Sequence, residues 1–155
     1  MTEREFTAAA EEYLDMVYRI ALNCLRAPAD AEDAAQTAML RLWQRQEPFA
    51  DRAHLRNWLV RVTLNVCRDT VRSPWRRRMV SLESCREPAF ADGEHRALYR
   101  AVMDLPEKYR VPLYLYYYEG YSVPEVGELL ELKPSTVQTR LDRGRKQLKT
   151  MLTEE

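Results

Sequence analysis

Five arginines, Arg68, Arg72, Arg76, Arg77 and Arg78, fall within eleven residues near the middle of this 155-residue chain. A guanidinium presents a planar fork of donors that matches a phosphate's oxygens, so such a cluster is suited to a polyphosphate backbone. Further along, Ser122–Leu148 reads as two helices joined by a short turn. The second of these helices begins with side chains that can address base edges. Gln138 can make a paired contact to adenine and Arg143 to guanine. Two basic surfaces on two separate helical units imply a protein that holds DNA at two places.

Total charge hides this arrangement, because 24 basic residues cancel 24 acidic ones. Divided by segment, the balance changes. Residues 54–78 carry seven arginines against one acid, Asp69, and residues 133–149 carry six Lys or Arg against one acid, Asp142. The compensating acids lie in 1–53 and 80–132, with ten in each. Clustered positive charge is an electrostatic footprint for phosphate whatever the net value.

The elements that must position these groups are helices. Apolar residues recur at helical spacing and there are only four glycines, which predicts an all-α protein. A first helix is expected from about Thr7 to Arg26, with Tyr13, Val17, Ile20 and Cys24 on one stripe, closed by Ala27-Pro28. Asp30 reads as the N-cap of a second helix to about Gln46, with Asp33 completing a capping-box-like start and Ala35, Ala38, Met39 and Leu42 inward. A third helix spans about Ala53–Val71 with Leu55, Leu59, Val62 and Val66 inward. Arg61, Asn65, Arg68 and Arg72, spaced by four, three and four, share another face.

The stretch Ser73–Gly93 holds two prolines, several acids and no period, and reads as a flexible linker. The expected organisation is therefore two small helical domains, 1–73 and 94–155, joined by residues 74–93. In the second domain, helices are expected over Glu94–Leu105, with Leu98, Ala101, Val102 and Leu105 apolar, and from Pro106 to Tyr118. Most of Tyr114, Tyr116, Tyr117 and Tyr118 are expected to pack rather than stack on bases. Gly120 closes that helix, and Ser122 with Glu125 forms a capping box that opens the next, Val123–Leu130. After a turn at Glu131–Pro134, a last helix starts at Ser135 or Thr136 and runs to Met151, with Val137, Leu141 and Leu148 inward. Ser135, Thr136, Gln138, Thr139, Arg140, Asp142, Arg143 and Lys146 are left for the other faces, where a helix-turn-helix places its recognition helix in the major groove. Arg140, Arg145, Lys146 and Lys149 read as phosphate contacts.

Other chemistries find little support. The chain has two histidines, His54 and His95, no H-E-x-x-H, no phosphate-cradling glycine loop and no nucleophile elbow, so no catalytic residue, metal ligand or cofactor is assigned. Cys24, Cys67 and Cys85 are odd in number and far apart. The first two read as small buried residues, and the set suits neither a disulfide framework nor a metal site. No run is apolar for long enough to cross a membrane and the N-terminus lacks a signal pattern, so a cytoplasmic protein without membrane insertion is expected.

The order of these motifs resembles the extracytoplasmic-function class of bacterial RNA polymerase sigma factors over nearly the whole chain. Asp30-Ala-Glu-Asp-Ala-Ala-Gln36 with Leu40-Arg-Leu-Trp43 is similar to the family's polymerase-binding helix. Leu55-Arg-Asn-Trp-Leu-Val-Arg-Val-Thr-Leu-Asn65 is similar to its minus-ten segment. Leu105-Pro-Glu-Lys-Tyr-Arg110, Tyr118-Glu-Gly-Tyr-Ser122 and Thr136-Val-Gln-Thr-Arg-Leu-Asp-Arg-Gly-Arg145 follow its minus-thirty-five domain.

The resemblance implies that Asp30, Glu32, Asp33, Gln36, Leu40 and Trp43 bind core RNA polymerase, although Trp43 reads equally well as core packing. It implies that Arg56, Asn57, Arg61, Asn65, Arg68, Arg72, Arg76 and Arg77 grip promoter DNA near the minus-ten element, with the preceding loop capturing an unstacked base. It also implies control by a separate anti-sigma protein. Two positions depart from the family pattern. Thr37 stands where an acid is common, and Glu131 stands where a glycine is common in the turn, which asks for a different turn or a left-handed glutamate. A stand-alone helix-turn-helix regulator binding a palindromic operator would account for 120–149 but leaves the Asp30–Gln36 motif without a role.

Overall fold

The computed structural model describes residues 1–73 and 93–153. The chain divides into two compact units, Met1–Arg86 and Glu87–Glu155. Among the described residues there are seven helices and no strand. The linker expected over 74–93 and the candidates Arg76, Arg77, Arg78 and Cys85 fall almost wholly outside the described residues; only Gly93 is described, and it opens a helix.

The first unit consists of α1 (Glu3–Leu25), α2 (Pro28–Gln44) and α3 (Arg52–Arg72), each packed on the other two. Helix α1 starts four residues before the expected Thr7. Thr2 caps it by accepting from the Glu5 N–H at 3.1 Å, while the Thr2 N–H donates to the Glu5 carboxylate. A capping box thus opens the chain's first helix, and Arg26, at φ 69°, closes it in the left-handed region. The next helix begins earlier than the sequence suggests. Pro28, with its preset φ and missing N–H, is the first helical residue, and Ala27 holds the cap position without a side-chain bond. Asp30 is therefore not the cap; it lies in the first turn, where its charge still favours the positive end of the helix. Ala31, Ala34, Ala35 and Ala38 line the buried side of α2, and small side chains let the neighbouring helices approach closely. Val17, Ile20, Ala21, Leu42, Leu59 and Val60 form the solvent-free centre.

Helix α3 is capped by Asp51, whose side chain accepts from the His54 N–H at 2.8 Å. Its buried side is Leu59, Val60, Thr63, Leu64, Val66 and Cys67. Leu55 and Val62, expected inward, are only half-buried, because the core takes Val60, Thr63 and Leu64 instead. The Thr63 hydroxyl donates to the Leu59 carbonyl at 2.7 Å, so it is satisfied inside the core. Cys24 and Cys67 are buried thiols outside any disulfide, as expected.

The second unit holds α4 (Gly93–Asp104), α5 (Glu107–Tyr117), α6 (Val123–Leu130) and α7 (Pro134–Thr153). The last helix packs on all three others. Leu105, Leu115, Val126, Val137 and Leu141 make its sealed centre. Ala101 is buried, but Leu98 is 45% exposed, against expectation. Pro106 is the N-cap of α5 rather than its first helical residue, and the helix runs continuously through Pro112. Arg110 is 3% exposed; its guanidinium donates to the Leu105 carbonyl at 2.8 Å, so a buried charge ties the end of α4 to α5.

Candidate nucleic-acid interface

In the C-terminal unit α6 and α7 are joined by a tight turn, and three features shape this pair of helices. The Ser122–Glu125 capping box opens α6 with reciprocal bonds of 3.3 and 3.0 Å. Glu131 closes it in the left-handed region at φ 58°, ψ 44°, so the expected glycine is replaced by a glutamate in the same backbone conformation. Gly127 is the third. Its carbonyl accepts the Leu132 N–H at 2.8 Å, and an added Cβ would lie 2.6 Å from the Leu132 carbonyl oxygen. Any side chain there would push the turn open.

Helix α7 then starts at Pro134, one residue before Ser135. Val137, Leu141 and Gly144 face inward, and Leu148 is half-buried. A Cβ on Gly144 would come 2.8 Å from Leu113 Cδ1 and 3.2 Å from Tyr109 Cβ, so the glycine allows α7 to lie against α5. Ser135, Gln138, Thr139, Asp142, Arg143 and Lys146 are exposed on the opposite arc; Thr136 and Arg140 flank it, half-buried. Lys108, Tyr109, Ser135, Thr136, Thr139, Arg140 and Arg143 surround an open concavity of about 330 Å³ at the helix start. Its two arginines, its lysine and its hydroxyls are suited to an anionic backbone beside the helix N-terminus.

Arg145, expected at phosphate, is engaged within the protein. The Asp142 carboxylate accepts from Gln138 at 3.2 Å and from Arg145 at 2.7 Å. Arg145 also donates to the Tyr117 hydroxyl and lies 5.3 Å from that ring's centroid. The tyrosines are more exposed than a packing role predicts. Tyr117 and Tyr118 are 60% and 63% exposed, with Tyr118 stacked on Tyr114 at 5.1 Å, because α5 covers only one side of its aromatic run.

On the first unit, Arg61 and Arg72 are exposed and Asn65 and Arg68 half-buried, and at 100° per residue the four fall on the outward side of α3. Asn57 is exposed and Arg56 half-buried. The loop before α3 carries a cluster that the sequence reading missed. The Arg45 guanidinium sits 4.3 Å from the Phe49 ring centroid and 5.1 Å from that of Trp58. Phe49 meets Trp58 and His54 edge-on at 5.5 and 5.2 Å. The Ala50 N–H donates to His54 Nδ1 at 3.0 Å. The interleaved aromatic and basic residues of 45–58 were the signal for it, hidden by the absence of any helical period across the loop. Arg52, at the start of α3, donates to Glu12 of α1, which raises its pKa above the ordinary value.

A third face lies on α2. Asp33, Gln36, Leu40 and Trp43, spaced by three, four and three, form an exposed stripe with Glu32 beside it. Asp30 is half-buried and lies to one side of that stripe. Leu40 is 54% exposed and Trp43 47%, so Trp43 is not core. Trp43 meets Phe6 edge-on at 5.3 Å, and together with Leu14, Tyr18, Met39 and Leu40 they line an open groove of about 680 Å³ between α1 and α2. The Thr37 hydroxyl is turned back onto the Asp33 carbonyl at 3.0 Å. Large apolar groups rimmed by acids suit a protein partner better than a nucleic acid.

Comparison with known proteins gives the family. Residues 9–77 match the family model for Sigma-70 region 2, and residues 95–148 match that for Sigma-70, region 4. The ECF RNA polymerase sigma factor SigL of Mycobacterium tuberculosis is 30% identical over 156 residues, covering 95% of this chain and 88% of that protein. The chain belongs to the ECF RNA polymerase sigma factors. It is similar to SigW of Bacillus subtilis, 27% identical over 165 residues with 95% of this chain and 88% of that one covered. SigE of Mycolicibacterium smegmatis is 33% identical over 152 residues; the match takes in 91% of this chain but 59% of SigE's length.

The fold agrees. The sigma factor RpoE of Bartonella quintana, solved with the anti-sigma factor NepR, superposes with a TM-score of 0.80 at 21% identity, covering 97% of this chain and 98% of that one. CnrH, solved with the cytosolic domain of CnrY, gives 0.64 at 21% identity, with 99% and 91% covered. Sigma factors act with RNA polymerase in transcription initiation and are not enzymes, and this chain carries both modules of that role. Among the described residues no helix is long and apolar enough to cross a membrane.

Proposed function

We propose that the stripe Glu32, Asp33, Gln36, Leu40 and Trp43, with Asp30 at its margin, docks this sigma factor on core RNA polymerase. The outward residues of α3, Arg61, Asn65, Arg68 and Arg72, with Arg56 and Asn57 near the loop, contact the minus-ten region. The arc of α7 contacts the minus-thirty-five region, with Gln138 and Arg143 at base edges and Arg140 and Lys146 on phosphates. In this reading residues 1–73 and 94–155 are the two functional domains, and 74–93 joins them so that the two DNA contacts reinforce each other. The observation that carries it is the α2 stripe. It puts two large apolar side chains, each about half exposed, on the same unit as a basic DNA-type face. A helix-turn-helix on an operator accounts for the arc of α7 but not for a stripe that joins these apolar groups to acids on a separate unit.

Control by a separate anti-sigma protein belongs to the same reading, supported by the solved complex of RpoE with NepR. The site of action is the bacterial cytoplasm, where polymerase works. Retention of the full chain on immobilised core polymerase tests the docking assignment, with Asp33→Arg as the variant. Wild-type retention with loss in the variant is expected. Failure of the wild type to bind polymerase, with DNA binding intact, would return the chain to the operator-binding reading.

A further inference from the structure

The exposed arc of α7 contains one hydrogen-bonded chain that leads back to α5, and it ends on the amide proposed to read a base. Tyr117 accepts from Arg145 through its hydroxyl. Arg145 donates to Asp142 Oδ1 at 2.7 Å, and the Gln138 amide nitrogen donates to that same oxygen at 3.2 Å. The Arg145 guanidinium is also held over two rings, 5.3 Å from the centroid of Tyr117 and 6.0 Å from that of Tyr116. An ionised carboxylate only accepts, so the nitrogen of Gln138, and not its oxygen, must face Asp142. That choice leaves the second amide N–H and the carbonyl oxygen of Gln138 for a ligand. Those are the donor and acceptor that adenine's N7 and N6 require.

We propose that Tyr117, Arg145 and Asp142 are positioning residues that set the Gln138 amide for base recognition, and that Arg145 is not a phosphate contact. The inference rests on the reading of α7 as the minus-thirty-five reader. Its physical content is that one flexible side chain is ordered before DNA arrives, so less freedom is lost on binding. Arg145 also offsets the Asp142 charge, which would otherwise face the phosphates unopposed. Lys146 and Lys149, exposed beyond this chain of bonds, keep their assignment to phosphates.

The test uses holoenzyme reconstituted from core polymerase and the full chain, selecting from a promoter library randomised across the minus-thirty-five block. Wild type is compared with Gln138→Ala, Arg145→Ala and Tyr117→Phe; the last removes one hydroxyl and leaves the ring in place. Gln138→Ala is expected to erase the preference at one position. Arg145→Ala and Tyr117→Phe should weaken that same preference by roughly two- to tenfold, the range that ordering one flexible side chain supports, with other positions unchanged. Two results would overturn the proposal while leaving α7 as the reader. One is an unaltered preference in both Arg145→Ala and Tyr117→Phe. The other is a uniform loss on every sequence for Arg145→Ala with a salt slope lower by about one. If Gln138→Ala changes no position, the base-reading role itself fails and the positioning role fails with it.

Discussion

The exposed stripe of α2 and the exposed arc of α7 are both outward faces of helices on small helical cores, yet their surfaces differ in kind. On α2 the apolar side chains that miss the core, Leu40 and Trp43, remain large and sit among Glu32, Asp33 and Gln36. On α7 the corresponding arc has no large apolar group and carries Ser135, Gln138, Thr139, Arg143 and Lys146. The first surface gains by removing apolar area from water and suits another protein. The second offers polar groups in fixed positions to an anionic ligand with hydrogen-bonding edges. In the proposed reading the first unit joins a partner-binding stripe on α2 to a DNA face on α3, whereas the exposed arc of α7 serves sequence reading.

The comparison is tested most strongly on α2 itself, where burial changes within two residues. Leu42 is fully buried, so Leu42→Ala should destabilise the first unit by about 2–5 kcal/mol in denaturant unfolding. Leu40→Ala, at a half-exposed position, should change stability by less than about 0.5 kcal/mol. Trp43→Ala should instead weaken retention on core polymerase by roughly 30-fold or more, the effect of losing an aromatic anchor. A Trp43→Ala variant that binds polymerase normally would remove the distinction between the two faces.

On the second unit the expected effects are smaller. Gly127→Ala should cost about 1–3 kcal/mol, measured by thermal unfolding, because its Cβ meets a backbone oxygen at 2.6 Å. Arg143→Ala should relax base preference at one minus-thirty-five position, by about 1–3 kcal/mol of discrimination, in a comparison of promoter variants. The smallest change concerns the turn. Glu131→Gly should stabilise the unit by about 0.5–1 kcal/mol, since a glycine adopts the left-handed conformation without the Cβ penalty. A loss of stability in Glu131→Gly would mean that contacts of the glutamate side chain outweigh its backbone strain.

Helix periodicity and capping chemistry made much of this legible beforehand. Ser122 and Glu125 placed α6 to the residue, and the apolar stripe of α1 was correct at Tyr13, Val17, Ile20 and Cys24. Errors arose where two local signals competed. Asp30 is a good cap residue, but Pro28 fits the first helical position better and sets the start three residues earlier. Thr2 and Glu5 carried a capping box that was overlooked because apolar spacing only begins later. The inward side of α3 was displaced, because Thr63 is polar by type yet buried once its hydroxyl bonds the helix backbone.

For the sites, the periodic residues of α2, α3 and α7 were readable one helix at a time. What joins separate segments was not. The Arg45–Phe49–Trp58 cluster and the Tyr117–Arg145–Asp142–Gln138 chain depend on contacts across a loop or between helices, which spacing along the chain does not encode. Gly127 and Gly144 belong to the same class, since their reason is the close approach of another segment.

Run-off transcription by reconstituted holoenzyme on a random promoter library tests the division of labour most directly. The account predicts initiation at promoters that share two separated blocks. Asn65→Ala should relax the downstream block alone and Arg143→Ala the upstream block alone. Initiation from a single palindromic block, or relaxation of both blocks by either variant, would contradict it.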